Sequence, residues 1–254
     1  MHNCLKMDFF RLFKMKSTYV VFIVSSILCG LITFGTQKLS KIAGGKGVLL
    51  SYSSHLESTI GSDFFLMLMA IFCVLYVDAD FKHKFVKNIA GQIKNRDIII
   101  FSKLIVVIFY YIICAAIVAG ADVIAYMMAT EKFLLGNLGK TLAKIGIVTV
   151  ANIAFLMICI ALIYIFRNSK VSMIVSILLT LGITSALYMG IDTLASYFLN
   201  LKNFEIEKIS IMTQKATIYS DFSQENIIKV LVLAFCYFII FTIISTYTFR
   251  KRDV

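Results

Sequence analysis

The sequence predicts an all-α polytopic membrane protein, a single transmembrane domain over residues 1–254 with six membrane-spanning helices. Of its 254 residues, 60% are hydrophobic and only 15% are charged, and the mean hydropathy is +0.90. Soluble domains usually contain about 45–50% apolar and about 25% charged residues. Lipid must therefore be the solvent for much of this surface. Proline is absent from the sequence, so the predicted helices carry no proline kinks.

The chain opens with a short amphipathic segment at residues 3–16, before its first long apolar run. The apolar residues recur with the period of a helix, and the basic residues lie on the opposite arc. This pattern is typical of an interfacial helix that lies in the plane of the membrane; a frayed basic tail is the alternative. The apolar residues are Leu5, Phe9, Leu12 and Phe13, and the basic ones are Arg11 and Lys14.

Six apolar runs follow, and each is long enough to cross a bilayer, which takes about 17–25 residues. The loop at residues 36–61 is rich in glycine, serine and lysine, which favours a flexible external segment. Residues 191–226 contain no run of sufficient length and are predicted to form an extracellular loop. The predicted spans are 18–35, 62–79, 104–128, 145–166, 171–190 and 227–249.

The distribution of basic residues predicts the orientation of these spans. Fifteen lysines and arginines lie before the first span, between the second and third, between the fourth and fifth, and after the sixth; ten lie in the other connections. The more basic side of a membrane protein faces the cytoplasm. Both termini are therefore predicted to be cytoplasmic. The twenty lysines against five arginines favour an AT-rich bacterial genome, so the expected host membrane is the plasma membrane of a bacterium. The net charge of +11 is then a sign of topology, and nucleic acid is not an expected partner.

The connection between the second and third spans has the pattern of a short amphipathic helix over residues 81–94. Phe81, Phe85 and Ile89 are spaced four residues apart, and Val86 and Ile93 extend the same apolar arc. A cytoplasmic helix of this kind either lies on the membrane surface or docks into a groove of a partner protein. Its composition leaves both alternatives open.

The order of these features resembles the permease subunits of ABC-2-type exporters. That family combines an amphipathic amino-terminal helix and six spans with an acidic residue after the second span. Lys84-Phe85 stands where many relatives have Gly-Thr, which is more similar to the small bacterial peptide-export and lantibiotic-immunity permeases, such as exporters of phenol-soluble modulins. The matching positions are Asp80, Val86-Lys87-Asn88, Arg96, Lys103 and the closing Thr248-Phe249-Arg250-Lys251-Arg252-Asp253.

The resemblance implies that this chain is a transporter subunit and not itself an enzyme. Two permease chains, identical or different, would pair in the membrane, and two separate ABC ATPase subunits would bind ATP and Mg²⁺ on the cytoplasmic side. No cofactor is expected on this chain, because Gly45-Lys46 lacks the surrounding phosphate-loop pattern. The helix within 81–94 would be the coupling helix. The implied ATPase-coupling residues are Phe81, Phe85, Val86, Lys87, Asn88, Ile89, Ile93 and Arg96.

The substrate is expected to be amphipathic or hydrophobic. The 22 phenylalanines and 11 methionines would provide adaptable apolar walls, which favours a peptide toxin or antimicrobial peptide. A lipid-linked glycan or a drug is an alternative cargo. A channel or a non-transporting membrane scaffold is an alternative function, and an intramembrane enzyme is a third, although the sequence contains neither an HExxH motif nor a protease-like serine motif.

Two polar residues within the spans are candidates for the translocation path. Asp122, near the outer end of the third span, either lines that path, pairs with Lys132 or Lys144, or marks the membrane interface. Asn152, deeper in the fourth span, is expected to make an interhelical hydrogen bond in preference to a substrate contact. The six cysteines and three histidines are scattered along the chain, so neither a disulfide framework nor a metal site is expected. Small residues recur on the fifth span at Gly182, Ala186 and Gly190, and this stripe permits close helix packing.

Overall fold

The structure is a computed structural model that describes residues 2–42, 51–82, 97–130, 134–199 and 209–251. These residues form ten α-helices and no strand. In chain order they are α1 (His2–Lys14), α2 (Lys16–Ile42), α3 (Tyr52–Gly61), α4 (Asp63–Lys82), α5 (Asp97–Ala129), α6 (Leu138–Phe166), α7 (Ser169–Thr180), α8 (Ile183–Leu199), α9 (Ile211–Ser220) and α10 (Gln224–Lys251).

Five of these helices, α2, α4, α5, α6 and α10, are long and apolar enough to cross a membrane. They coincide with five of the six predicted spans and confirm an all-α, multi-pass architecture. Helix α5 alone has 33 residues, a length of about 50 Å at 1.5 Å per residue. The interfacial helix predicted at residues 3–16 corresponds in position to α1.

The predicted fifth span at residues 171–190 is not one continuous helix. It is divided into α7 and α8 by a turn at Leu181–Gly182, where Gly182 has a φ of +79°. The Leu181 N–H closes α7 on the carbonyl of Ile177 at 3.0 Å, and the Ser185 hydroxyl donates to the Gly182 carbonyl at 2.6 Å. Glycine enters this left-handed conformation readily, which ends a helix without proline. Six spans therefore stay a prediction, since neither α7 nor α8 is long enough to count as a span.

The predicted flexible segment at residues 36–61 is wrong over much of its length. Helix α2 continues to Ile42, and residues 52–61 form the largely buried helix α3. Its first turn is tied to the chain before α6, where the Tyr52 N–H donates to the carbonyl of Leu134 at 2.8 Å. The Tyr52 hydroxyl donates to the carbonyl of Ala119 on α5 at 3.2 Å. These bonds fix α3 between α2, α5 and α6.

The predicted loop at residues 191–226 also contains helical structure. Helix α8 continues to Leu199, and the short helix α9 packs against α6 and α10. Lys215 of α9 is buried and its ammonium contacts Asp63, the first residue of α4, at 2.7 Å. Helix α9, which is too short to be a span, is therefore packed against the longer helices of the bundle.

The two ends of the bundle are distinct. We call the end with Lys16, Lys82, Asp97, Phe166 and Lys251 the terminal end, and the opposite end the distal end. Helices α3 and α9 lie at the distal end, whereas α1 lies at the terminal end against α5.

An aromatic stack lies in the core between α2, α4 and α5. The Tyr110 ring lies 3.6 Å from that of Phe72 and 4.7 Å from that of Phe22, measured between centroids. Its hydroxyl donates to the Thr18 carbonyl at 3.0 Å. Tyr110 is 1% exposed, so one side chain links three helices.

Helices α2 and α10 expose the most apolar surface. In the most apolar stretch of each, only 22% of the α2 residues and 17% of the α10 residues are buried within the chain, against 61% for α4 and α6. Leu31 of α2 and Phe235 of α10 are 59% and 66% exposed. Such surfaces need lipid or another apolar partner.

We expect Gly61→Ala to lower the free energy of unfolding by about 1–3 kcal/mol, because it overpacks the contact between α3 and α9. A Cβ at Gly61 would lie 1.7 Å from the Tyr219 hydroxyl oxygen. Thermal unfolding in detergent, followed by size-exclusion chromatography, measures the loss. Gly120→Ala is the matched control, since nothing lies within 4 Å of its Cβ position. Equal stability of the two variants would contradict this packing.

Candidate functional site

Of the predicted ATPase-coupling residues, Phe81 is the one that the structure describes. It belongs to the last turn of α4, and its ring packs edge-on against that of Tyr164, with 5.7 Å between the ring centroids. Tyr164 in turn packs against Phe249 of α10 at 5.5 Å. Phe81 thus joins α4 to α6 and α10. The remaining predicted residues, which lie outside the described ranges, are Phe85, Val86, Lys87, Asn88, Ile89, Ile93 and Arg96.

A cluster of four charged side chains lies at the terminal end, beside this segment. We call Asp8, Arg11, Asp80 and Lys103 the terminal ion cluster. The Lys103 ammonium bonds to the Asp8 carboxylate and lies 2.6 Å from that of Asp80. Arg11 bonds to Asp80 and lies 3.8 Å from Asp8. The cluster therefore joins α1, α4 and α5 through both of its carboxylates.

The terminal ion cluster is buried and electrically balanced. The side chains of Lys103, Asp8 and Asp80 are 2–3% exposed, and that of Arg11 is 17% exposed. The two acids and two bases sum to zero charge, which a buried ionic network requires because each unpaired ion would lose its hydration without compensation. The Ser102 hydroxyl donates to Asp8 at 2.6 Å, and the Tyr76 hydroxyl donates to the Asp8 carbonyl at 3.2 Å.

The terminal ion cluster joins the two helices that flank residues 83–96 in the sequence. Asp80 lies three residues before this segment and Lys103 seven residues after it, and the two side chains are in contact. Both residues are bonded in turn to α1. A second tie lies close by, where the Arg250 guanidinium donates to the Asp97 carboxylate at 2.9 Å and links α10 to the start of α5.

A second polar cluster lies at the distal end, around Asp122. We call Thr33, Gln37, His55, Thr59 and Asp122 the distal polar cluster. The hydroxyl of Thr33 donates to one carboxylate oxygen of Asp122, and that of Thr59 donates to the other at 3.2 Å. The Gln37 amide nitrogen contacts Nε2 of His55. Each of the five side chains belongs to a residue that is at most 9% exposed.

Asp122 is a buried residue, and its position relative to the membrane interface stays a prediction. It is 0% exposed and is enclosed by α2 and α3. Its expected partner Lys144 contacts Glu57 instead, at 3.1 Å, and Lys132 lies outside the described residues. A role for Asp122 in the translocation path stays a prediction.

Asn152 makes the interhelical hydrogen bond that the sequence analysis favoured. Its side-chain nitrogen donates to the Tyr111 hydroxyl at 2.8 Å, which links α6 to α5 inside the bundle. Both residues are 0% exposed. The amide therefore serves helix packing in this structure, and a contact with substrate stays a prediction.

Five residues of the two clusters were not predicted as site residues from the sequence: Asp8, Thr33, Gln37, His55 and Thr59. A signal for Asp8 was present, because it falls three residues after Leu5 and four before Leu12, on the apolar arc of α1. A carboxylate on that arc indicates a buried basic partner. His55 gave no comparable signal, since it stands alone among serines.

The environment of His55 also affects its protonation. Burial lowers the pKa of its imidazole, because the charged form loses hydration, while the neighbouring Asp122 carboxyl acts in the opposite direction. Its ring lies 5.9 Å from that of Tyr126 on α5. His55 is therefore favoured in its neutral form near neutral pH.

Comparison with known proteins identifies no family for the chain: no protein-family model matches it, and no curated protein matches it.

Proposed function

We propose that this chain is the membrane-spanning permease subunit of an ATP-driven exporter, powered by a separate cytoplasmic ATPase subunit. The observation that carries the proposal is the terminal ion cluster, which fixes both flanks of the segment 83–96 to α1. In this proposal both termini are cytoplasmic, and the host membrane is the bacterial plasma membrane. A second permease chain, identical or different, completes the transporter.

A coupling segment has to pass its displacement to the spans and not absorb it. Pulling Asp80 away from Lys103 and Arg11 would leave charges buried without partners, which costs about 3–5 kcal/mol. Motion imposed on the segment therefore moves α1, α4 and α5 together. A channel or a passive scaffold has no requirement for such a joint between a partner-facing segment and two spans.

The docking face itself is proposed on the sequence pattern. Phe85, Ile89 and Ile93 would bury an apolar stripe in a groove of the ATPase, and Lys87 and Arg96 would lie at its polar rim. ATP and Mg²⁺ would be bound by that partner. Phe81 packs inside the bundle, so its part in this proposal is to anchor the docking segment to α4 and α6.

The proposed cargo is amphipathic or hydrophobic, with a peptide toxin or an antimicrobial peptide as the first candidate. The abundance of phenylalanine and methionine supports this class because such walls adapt to varied apolar shapes. Asp122 would reach a cargo only after α3 moves, since Thr59 and His55 of α3 cover it in this structure.

Co-purification from the native membrane tests the proposal. We expect a soluble ATPase to accompany the wild-type chain in fixed stoichiometry and to be reduced at least about tenfold with Ile89→Asp, because a tenfold loss needs only about 1.4 kcal/mol and an unpaired buried carboxylate costs more. Cargo is then identified by stimulation of the ATPase activity of the complex.

Gly91→Asp is the matched control for this experiment. It adds the same charge to the same segment but, at about 100° per residue, lies on the side opposite Phe85, Ile89 and Ile93, so the ATPase should be retained. A wild-type chain that purifies without any ATPase under mild conditions would refute the proposal and favour a channel or scaffold. Equal retention by both variants would instead remove the coupling role from the apolar arc.

A further inference from the structure

The distal polar cluster contains more acid than base. Asp122 is the carboxyl at its centre, and its two oxygens accept hydrogen bonds from the neutral hydroxyls of Thr33 and Thr59. The nearby lysines of the described distal end are committed to other acids: Lys144 to Glu57 and Lys215 to Asp63. Among the described residues, an ionised Asp122 would therefore have no cation bonded to it.

The other titratable groups around Asp122 do not supply that cation. Cys29 faces it from α2, Tyr52 and His55 from α3, and Tyr126 lies on its own helix α5. Thiols and phenols are neutral near neutral pH. His55 is the single group of these that could carry a positive charge.

The geometry of His55 favours a neutral ring. The Gln37 amide nitrogen, which can only donate, contacts Nε2 of His55, and a neutral ring with no proton on Nε2 satisfies this contact as its acceptor. An ionised Asp122 would then be an isolated buried charge, about seven residues or about 10 Å from the end of α5. Such a charge is costly inside a membrane protein and is removed by taking up a proton.

We propose that Asp122 is a proton-binding site: it carries a proton at neutral pH, beside a neutral His55, and α3 is the cover that closes the site. Because a hydroxyl both donates and accepts, Thr33 can accept the hydrogen bond of the protonated carboxyl. This inference rests on the geometry of the distal polar cluster and holds whether or not the chain is an exporter.

A cavity on the opposite face of α3 would connect the site to water once α3 moves. A pocket of about 360 Å³ lies on the other side of α3, lined by Ser54, Glu57, Ser58, Gly61, Ser62 and Tyr219. One helix therefore separates a hydroxyl-lined cavity from the buried carboxyl. Loss of the proton would leave an uncompensated charge beneath α3 and favour its movement away from α2 and α5.

Infrared spectroscopy of the purified chain tests the protonation state directly. We expect wild-type protein at neutral pH to show the carbonyl stretch of a protonated carboxylic acid, and Asp122→Asn to lose that band completely. The chain has only 14 acidic residues, which keeps the assignment simple. Asp63→Asn is the matched control and should retain the band, because Asp63 is ion-paired and 58% exposed.

The outcomes separate the proposal from its alternatives. His55→Gln should retain the band, since the proton lies on Asp122. Absence of the band from correctly folded wild-type protein would overturn the proposal, as would its persistence in Asp122→Asn. Selective ¹⁵N labelling of the three histidines reports the His55 ring, and an imidazolium signal that disappears in His55→Gln would also overturn it.

Hydrogen exchange tests the role of α3 as a cover. At alkaline pH we expect faster amide exchange over residues 52–61 in the wild type than in Asp122→Asn at the same pH, because only the wild type acquires the buried charge. Comparison at one pH removes the general acceleration of exchange by base. Equal exchange of the two proteins across the alkaline range would contradict this role.

Discussion

Lys103→Met should lower the free energy of unfolding by about 3–5 kcal/mol, because the substitution leaves Asp8 and Asp80 buried together without the ammonium that bridges them. Lys103 bonds to both carboxylates and its side chain is 2% exposed. Arg11 remains, but one cation cannot balance two buried acids. Denaturant unfolding in detergent micelles measures the change.

Two further variants make the Lys103 result specific to charge. Lys229→Met removes a lysine whose side chain is 54% exposed and which pairs with Glu225, itself 76% exposed, and a pair that is exposed on both sides contributes little to stability. Lys103→Met combined with Asp80→Asn restores a neutral cluster and should recover much of the stability. If Lys103→Met were no more harmful than Lys229→Met, the terminal ion cluster would not be a structural unit.

Tyr110→Ala is expected to destabilise the chain by a similar amount, about 3–5 kcal/mol, through the cavity left between α2, α4 and α5. The lost ring stacks on Phe72 and Phe22, and the lost hydroxyl donates to the Thr18 carbonyl. Tyr110→Phe keeps the ring and loses only the hydrogen bond, for about 0.5–1.5 kcal/mol. The same micelle unfolding experiment separates the two contributions.

Ile112→Ala serves as the control for Tyr110, because it lies on the same helix and is 54% exposed. A change within about 0.5 kcal/mol is expected there. A Tyr110→Ala variant as stable as Ile112→Ala would show that the aromatic stack does not hold the three helices together.

The spans were predictable because lipid imposes one requirement on every crossing helix. About 20 consecutive apolar residues are needed, and α2, α4, α5, α6 and α10 all have them. The division at Leu181–Gly182 was not predictable on this basis, because both sides of it are apolar. Gly182 was interpreted as a packing residue of a stripe, whereas its φ of +79° makes it the end of a helix.

The short helices α3 and α9 were missed for a different reason. Both are polar for their length, and composition alone favours an exposed loop for such segments. They are buried because polar partners reach them from distant parts of the chain: Asp122 bonds to Thr59, and Asp63 bonds to Lys215. A contact between residues far apart in the sequence leaves no local sequence pattern from which it could be predicted.

The residues of the candidate sites likewise divide into those that the sequence predicted and those that it did not. Asn152 was predictable because an amide inside an apolar run needs a partner, and Tyr111 is that partner. Asp122 was found as a residue but not as a buried one, since its cover, α3, was expected to be a loop. The terminal ion cluster required knowing that α1 packs on α5, which no spacing within either helix encodes.

The large sequence separation between members of the terminal ion cluster also constrains the order in which the chain folds during its synthesis. Asp8 and Lys103 are separated by 95 residues, so α1 leaves the ribosome long before its partner exists. Until α5 is synthesised and inserted, Asp8 and Arg11 have to remain hydrated at the membrane surface. Closure of the cluster then marks the moment at which α1, α4 and α5 become one packed unit, on which the remaining helices can assemble.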